Sequence, residues 1–238
     1  MPNIKFTYIG EYANQVCDRP EPSGSFIPDW FKHMTPYDIS PDNPHGKKIK
    51  ITEFGVNATA KKCTPMLDSI ISGYTVPLWA DVLVEQREHG PYLSWRVHKD
   101  VFVEHGPSSK RMPAPPGYDQ LVLKFLTRFK IKTDPGYSIM VRQPAGHYDL
   151  PFYTVPAIVD TDKSVIDNNF PVWIKSGFEG IIERGTPMAQ IFPFKRENWT
   201  STFDVMSEEQ QMIDLDKGFS KTLVNNYVKN IWSKKKFL

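Results

Sequence analysis

The chain has 238 residues, of which 40% are hydrophobic and 24% are charged, and its formal net charge is +2. This balance is that of a folded globular protein and excludes long disorder. The small net charge disfavours a general nucleic-acid-binding surface, and no run of about eighteen apolar residues offers a membrane span. The opening MPNIKFTYIG lacks the apolar core of a secretory signal. We therefore expect a reducing compartment, in which Cys17 and Cys63 are free thiols.

Prolines divide the chain into many short segments. The 21 prolines, set against 14 glycines, suit strands and turns better than long helices. Apolar and polar residues alternate from the start, where Ile4, Phe6 and Tyr8 share one side of a predicted strand. The length suffices for one sizeable core, and neither an internal repeat nor a linker is evident. The sequence therefore predicts a single β-rich domain over residues 1–238.

One short helix is expected among the strands. In TPMLDSIISG, Pro65 suits the first helical turn and Gly73 the position after the last, which predicts a helix near 65–72. The next residues, YTVPLWADVLVEQ, alternate throughout and predict one strand over 74–86 with both faces partly covered. A half-buried strand is predicted in YLSWRVHKDVFVEHG, where residues 93–98 alternate, and a strand with a bulge or bend at 120–133. Later strands are predicted at residues 137–144, 154–159, 171–174, 180–182 and 188–192.

The hydrophobic period changes to that of a helix after Ser207. Met212, Leu215 and Phe219 begin a stripe that repeats every three to four residues, and Ser207 with Gln210 forms a capping box. A C-terminal amphipathic helix at about 207–233, packed on the outside of the domain, is therefore predicted. With the strands, it completes a mainly β fold with a jelly-roll or double-stranded β-helix core.

Several blocks of the chain resemble an uncharacterised protein family of tailed bacteriophages. They are PEPSGSFIPDWFKHM, CTPMLDSIISGYTVPLWADV, KTDPGYSIMVRQPAGHYDLPF, AIVDTD and FPVWIKSGFEGIIERGTPMAQIFPFKRENW, spread over residues 20–199, with a similar ending in YVKNIWSKKKF. The resemblance implies a viral origin, with the protein in the cytoplasm of the infected host cell or in the virion. The family has no established activity, so the resemblance assigns no catalytic role.

A second, fold-level similarity lies near the end of the predicted β region. GIIERGTPMAQIFPF is similar to the strand-turn-strand edge of double-stranded β-helix and dUTPase-like β-barrel proteins. The simpler interpretation is structural: Gly185 supplies a turn, and Ile191 and Phe192 pack inward. A similar fold does not by itself imply a similar function.

His147 and Asp149 stand two residues apart in GHYDLPF, the spacing that places two side chains on one face of a strand. This is half of a two-histidine, one-carboxylate iron site. In the double-stranded β-helix oxygenases the second histidine comes later in the chain, whereas His147 is the last histidine of this sequence. We therefore predict no metal there and interpret His147 as a polar loop residue.

Asp160 and Asp162 in VDTD are the best carboxylate pair of the sequence. Two carboxylates on one strand face can hold Mg²⁺ or Ca²⁺, so a divalent cation is a candidate ligand there. The alternative, which we favour, is a strand end whose aspartates form Asx-turns.

Basic and amide side chains suggest an anion site. Arg142, Lys195 and Arg196 can pair with a phosphate or carboxylate, and Gln190 lies in the same predicted hairpin. If a small ligand binds, we expect its pocket between Arg142 and Arg196. The ligand-binding candidates are Arg142, His147, Asp149, Asp160, Asp162, Gln190, Lys195 and Arg196. The alternative is that these are ordinary solvated charges on separate loops.

Two functional hypotheses follow. P-loop, GxSxG and HExxH motifs are all absent from the sequence, so an enzyme is not favoured. The first hypothesis is a phage-encoded non-enzymatic binding or virion accessory protein, with a protein or a small anionic ligand as its partner. The second is a double-stranded β-helix enzyme acting on a nucleotide or sugar. A pocket with convergent polar groups would favour the enzyme, and an exposed apolar surface would favour the binding protein.

Overall fold

The computed structural model describes residues 1–52, 55–106, 112–164, 166–220 and 227–237. Strands form 34% of the structure and helices 18%, which confirms the predicted mainly β class. The jelly-roll or double-stranded β-helix core stays a prediction. The chain groups into two compact units, one formed by Met1–Phe26, Ser72–Arg196 and Phe237, the other by Ile27–Ile71 and Glu197–Lys236. The single domain over 1–238 also stays a prediction.

Short strands and helices alternate along the described residues. In chain order the strands are β1 (Ile4–Tyr8), β2 (Glu21–Pro22), β3 (Lys50–Thr52), β4 (Gly55–Val56), β5 (Tyr74–Pro77), β6 (Val82–Arg87), β7 (Gly90–Ser94), β8 (Phe102–Glu104), β9 (Tyr118–Phe125), β10 (Phe129–Thr133), β11 (Tyr137–Arg142), β12 (Phe152–Thr154), β13 (Ala157–Val159), β14 (Phe170–Lys175), β15 (Gly180–Ile182) and β16 (Pro187–Lys195). The α-helices are α1 (Gly10–Val16), α2 (Asp29–His33), α3 (Thr64–Ile71) and α4 (Glu208–Ser220). Two 3₁₀ turns, Ser23–Phe26 and Ala60–Lys62, and a π turn, Tyr227–Ile231, complete the list.

The first unit contains four antiparallel sheets. The largest has the strand order β13-β11-β16-β5-β2, and a second has the order β12-β14-β9-β8. A three-stranded sheet, β15-β6-β7, and the pair β1-β10 complete the unit. One core joins the sheets, and its largest fully buried side chains include Trp79, Phe125, Phe129, Phe152 and Met188.

The strand predicted over residues 74–86 is divided in the structure. Its first part, β5, belongs to the largest sheet, and its second part, β6, to the three-stranded sheet. Between them Leu78 and Trp79 are buried without being in a strand, and the Leu78 N–H donates to the Thr186 carbonyl at 2.8 Å. Pro77 has no N–H to donate, so the ladder is interrupted where the chain changes sheets.

The second unit carries the helices that the sequence predicted. Helix α3 confirms the helix expected near 65–72. Helix α4 covers the first half of the C-terminal helix expected at about 207–233, and the Gln210 N–H donates to Ser207 Oγ at 3.2 Å, as the capping pattern predicts. Residues 221–226 of that prediction lie outside the described residues. The predicted apolar stripe is not buried where it is described, because Met212 is 67% exposed and Leu215 43%.

In the described residues, no helix is both long enough and apolar enough to cross a membrane.

Candidate functional site

Arg196 gathers two of the predicted carboxylates at one end of the largest sheet. It follows β16, whose neighbour β11 begins at Tyr137, and the Arg196 N–H donates to the Gly136 carbonyl at 2.9 Å. Its guanidinium Nη1 donates to Asp162 Oδ1 at 2.9 Å and lies 3.3 Å from Asp160 Oδ1, while Nη2 donates to Asp162 Oδ2. The same Nη1 donates to Ser138 Oγ at 2.8 Å. The sequence named these three charged residues as candidates, and the structure brings them together.

The Asp162 carboxylate is held in an ion pair with Arg196. The hydrogen bond from Arg196 holds the pKa of the Asp162 carboxyl well below its usual range, against the opposing effect of burial. The Asp162 side chain is 6% exposed, and its Oδ2 also accepts the Gly136 N–H at 2.9 Å. Asp160 is more open, at 52% exposed, and accepts a hydrogen bond from Ser138 Oγ at 2.6 Å. A divalent cation at these carboxylates would have to displace Arg196.

Arg142 and Gln190 form a second polar group at the other end of the same strand pair. Their Cα atoms are partners in the ladder between β11 and β16, and Arg142 Nε donates to Gln190 Oε1 at 3.2 Å. Gln190 is 1% exposed; its Oε1 also accepts the Ala145 N–H at 3.1 Å, and its Nε2 donates to the Ser72 carbonyl at 2.7 Å. Burial lowers the pKa of the Arg142 guanidinium. This amide joins two backbone segments and the Arg142 side chain to β16, which is a structural role.

The other three candidates are His147, Asp149 and Lys195. A ring nitrogen of His147, Nε2, lies 2.7 Å from the Phe26 carbonyl, which fits the predicted polar loop residue. Asp149 and Lys195 are exposed. Four residues of strand separate Ser138 from Arg142, which corresponds to roughly 13 Å. Five of the eight candidates therefore form two clusters at opposite ends of a strand pair, and the pocket predicted between Arg142 and Arg196 stays a prediction.

A different cavity lies on the outer face of the three-stranded sheet. Ile181 of β15 is the ladder partner of Leu83 in β6, and Leu83 is the partner of Ser94 in β7, so the three side chains form one cross-strand row. The inward-facing neighbours Val82 and Ile182 are fully buried in the core. The outer row should therefore be polar, as on other half-exposed antiparallel sheets. Instead Ile181 is 61% exposed and Leu83 is 42% exposed.

This row forms one wall of a groove of about 460 Å³. The groove's other walls come from the end of α1 and from the segments flanking β6 and β7. Its lining residues are Val16, Trp79, Ala80, Asp81, Leu83, Ser94, Trp95, Arg96, Val97, Ile181 and Arg184. None of the eight residues predicted from the sequence belongs to this lining. We call this cavity the groove.

Two of the charged residues that line the groove, Arg184 and Asp81, bond to neighbouring parts of the structure. Arg184 Nη2 donates to Asp18 Oδ1 at 2.6 Å and Arg184 Nε to Asp18 Oδ2 at 2.8 Å, a bidentate pair. The Asp81 carboxylate accepts the Arg184 N–H at 2.7 Å. Arg96 is exposed and makes no ion pair with any described residue. The groove thus presents an apolar wall with one uncompensated cation at its edge.

Two residues at or beside the groove, Trp79 and Cys17, are buried. Trp79 is 1% exposed, and its Nε1 donates to the Leu126 carbonyl at 2.8 Å. Cys17, next to the lining residue Val16, is 6% exposed, and burial raises the pKa of its thiol to about 11. A thiol with that pKa is almost fully protonated at neutral pH and is a poor nucleophile.

A second exposed apolar surface is a segment of chain rather than a cavity. Residues 198–206, here called the arm, carry Trp199 at 87% exposed, Phe203 at 96%, Val205 at 94% and Met206 at 61%. The arm lies outside every described helix and strand. Its one hydrogen bond within the described residues is local, from the Val205 N–H to Asp204 Oδ1 at 2.8 Å.

Signals for both surfaces were present in the sequence. Leu83 is apolar on a strand whose other face, with Val82 and Val84, is already apolar. Ile181 and Ile182 are adjacent, so they place apolar side chains on both faces of β15. In the arm, Phe203 and Val205 alternate with Thr202 and Asp204 as a strand would, although no partner strand is evident.

Comparison with family models, with curated proteins and with solved structures found no match for this chain.

Proposed function

We propose that this is a non-enzymatic binding protein, encoded by a bacteriophage, that takes an apolar segment of a partner protein into the groove. The observation that carries the proposal is the exposed cross-strand row of Ile181 and Leu83 along a cavity of about 460 Å³. Exposed aliphatic side chains that line a concavity are typical of protein–protein or ligand sites. The blocks over residues 20–199 that resemble a phage family support the viral origin, with the protein in the infected cell or the virion.

The polar groups of the described residues give less support to the alternative, a double-stranded β-helix enzyme acting on a nucleotide or sugar. Asp160 and Asp162 lie against Arg196, so neither carboxylate is positioned as an unpaired acid or base. Within the groove, Arg184 and Asp81 are engaged by Asp18 and by the backbone. What the groove offers an incoming group is mainly apolar contact, which suits binding better than acid–base chemistry.

Panning a random peptide library against immobilised protein tests this proposal. The bait is a Trp199→Ser, Phe203→Asp double variant, the arm variant, so that the arm's own apolar side chains do not capture peptides. We expect enrichment of peptides with large apolar residues. These peptides should lose binding when Ile181→Lys is added to the bait.

The matched control is Ile158→Lys, because Ile158 is likewise an exposed isoleucine, at 67%, in the edge strand β13. Peptides selected on the arm variant should still bind this control. The proposed function would be overturned if no peptide were enriched, or if the selected peptides bound equally well with and without Ile181→Lys.

A further inference from the structure

We infer that the groove of one copy of this protein receives the arm of a second copy, so that two chains associate by exchanging arms. The inference rests on the proposed function, because it names the partner of the same groove. Each chain carries both surfaces, and both are exposed. If each arm occupies the groove of the other copy, the two chains form a closed, two-fold dimer, the commonest symmetry of homo-oligomers.

The arm has the properties of a docking segment. Three of its apolar side chains are more exposed than those of the groove: Trp199 at 87%, Phe203 at 96% and Val205 at 94%. These two alternate with Thr202 and Asp204, so in an extended conformation they point to the same side. The backbone of residues 198–206 makes no hydrogen bond to another described part of the chain, which leaves its N–H and C=O groups available to a partner.

The sizes of the two surfaces match. The groove, at about 460 Å³, falls within the range of roughly 300–1,000 Å³ typical of ligand pockets. A buried aromatic side chain contributes roughly 150–250 Å², and the arm has two, Trp199 and Phe203, besides Val205 and Met206. When both arms are exchanged, the dimer has two arm–groove contacts, and each partner contributes one arm and one groove. The surface that each partner would bury with its arm and its groove together approaches the ~800 Å² per partner of a standard interface.

The charges are complementary in sign. Residues 197–216 contain six acidic residues and no lysine or arginine. The groove presents Arg96, which makes no ion pair with any described residue, whereas its other charged lining residues, Arg184 and Asp81, are engaged by Asp18 and by the backbone. Asp204, beside Phe203 in the arm, has the sign of charge needed to pair with the Arg96 guanidinium. Such a pair orients the segment and speeds association more than it adds affinity.

Analytical ultracentrifugation of the full-length protein tests the inference. We expect the wild type to be a dimer at micromolar concentration. The arm variant and Ile181→Lys should each weaken self-association by about 30-fold or more, as expected for the loss of an interface hot spot. Ile158→Lys should remain dimeric. All the substituted side chains are exposed, and circular dichroism verifies that each variant is folded.

Mixing the two association-deficient proteins gives a sharper test. The arm variant retains an intact groove, and Ile181→Lys retains an intact arm, so together they can form one of the two contacts. We expect a heterodimer on mixing that is weaker than the wild-type dimer but stronger than the self-association of either variant. If the two substitutions only destabilised the folded protein, mixing the variants would not restore association.

A labelled peptide of residues 197–212 separates this inference from the proposed function. It should bind the arm variant and fail to bind after Ile181→Lys, whereas the same peptide with Trp199→Ser and Phe203→Asp should not bind. If peptides selected from the library bind the groove but this peptide does not, the partner is a different protein and the inference is wrong. A monomeric wild type, or an arm variant that still dimerises, would also overturn it. If neither a library peptide nor the peptide of residues 197–212 binds the groove, the proposed function is wrong as well.

Discussion

Arg196 holds Asp162 with both ends of its guanidinium group, Nη1 on Oδ1 at 2.9 Å and Nη2 on Oδ2. The pair joins the end of β16 to the turn that follows β13, two positions at opposite sides of β11. The Gly136 N–H donates to the same carboxylate, so the turn before β11 is fixed by it too. The cluster therefore closes one end of the largest sheet.

The Asp162→Asn variant should be less stable than the wild type near neutral pH, because the amide keeps the shape of the side chain but loses its charge. The pKa of Asp162 is lowered in the folded protein, so its contribution is present above the ordinary value of about 3.9 and is lost as the pH falls below it. Urea unfolding should show a large difference between the two proteins near pH 7. The difference should shrink progressively below about pH 5.

Asp149→Asn is the control for this experiment. Asp149 is exposed and makes no ion pair with a described residue, so its replacement should leave the unfolding midpoint nearly unchanged at every pH. An Asp162→Asn protein with the wild type's pH dependence would contradict the role given to the ion pair.

The buried amide of Gln190 should be more costly to replace than its size suggests. In Gln190→Leu the Ala145 N–H and the Ser72 carbonyl lose their partner, and the free energy of unfolding should fall by about 2–4 kcal/mol. Gln15→Leu is the matched control, because Gln15 is exposed on α1 and bonds only the side chain of Glu11. Its effect should stay within about 0.5 kcal/mol in the same urea titration. Equal effects would show that the Gln190 hydrogen bonds contribute little.

Local features of the fold were predictable from the sequence. Helix α3 follows from Pro65 and Gly73, and the cap of α4 from Ser207, because each depends on neighbours within a few residues. The alternation of Ile4, Phe6 and Tyr8 likewise predicted β1. The division of residues 74–86 between two sheets was not foreseen, since the alternating pattern continues through the point where the chain leaves one sheet.

The candidate site was less predictable because it depends on strand pairing. Asp160, Asp162 and Arg196 were each named from local chemistry, but their mutual pairing requires the register of β13, β11 and β16. The groove requires Ile181 to meet Leu83, which are distant in the chain. Periodicity shows that a residue faces outward, whereas only the topology shows which other outward-facing residues lie beside it.

Two glycines with positive φ should respond differently to alanine. Gly73 has φ +78°, and an added Cβ would lie 2.1 Å from the Ile191 carbonyl oxygen. Gly185 has φ +87°, with nothing within 4 Å of an added Cβ. Gly185→Ala should cost about 1–2 kcal/mol for the left-handed backbone alone. Gly73→Ala should cost about 3 kcal/mol or more, because β5 and β16 must also move apart. Thermal unfolding of both variants measures the difference, and equal costs would contradict the close approach.

The two cysteines should differ in reactivity, since both are free thiols but only Cys63 is exposed. With a pKa of about 11, Cys17 has roughly one thiol in a thousand ionised near pH 8, and its side chain is also shielded. Iodoacetamide should therefore modify the native wild type once, at Cys63. The Cys63→Ser variant should react only after unfolding, while Cys17→Ser should react as the wild type does. Mass spectrometry counts the adducts. Rapid alkylation of native Cys63→Ser would show that Cys17 is accessible beside the groove.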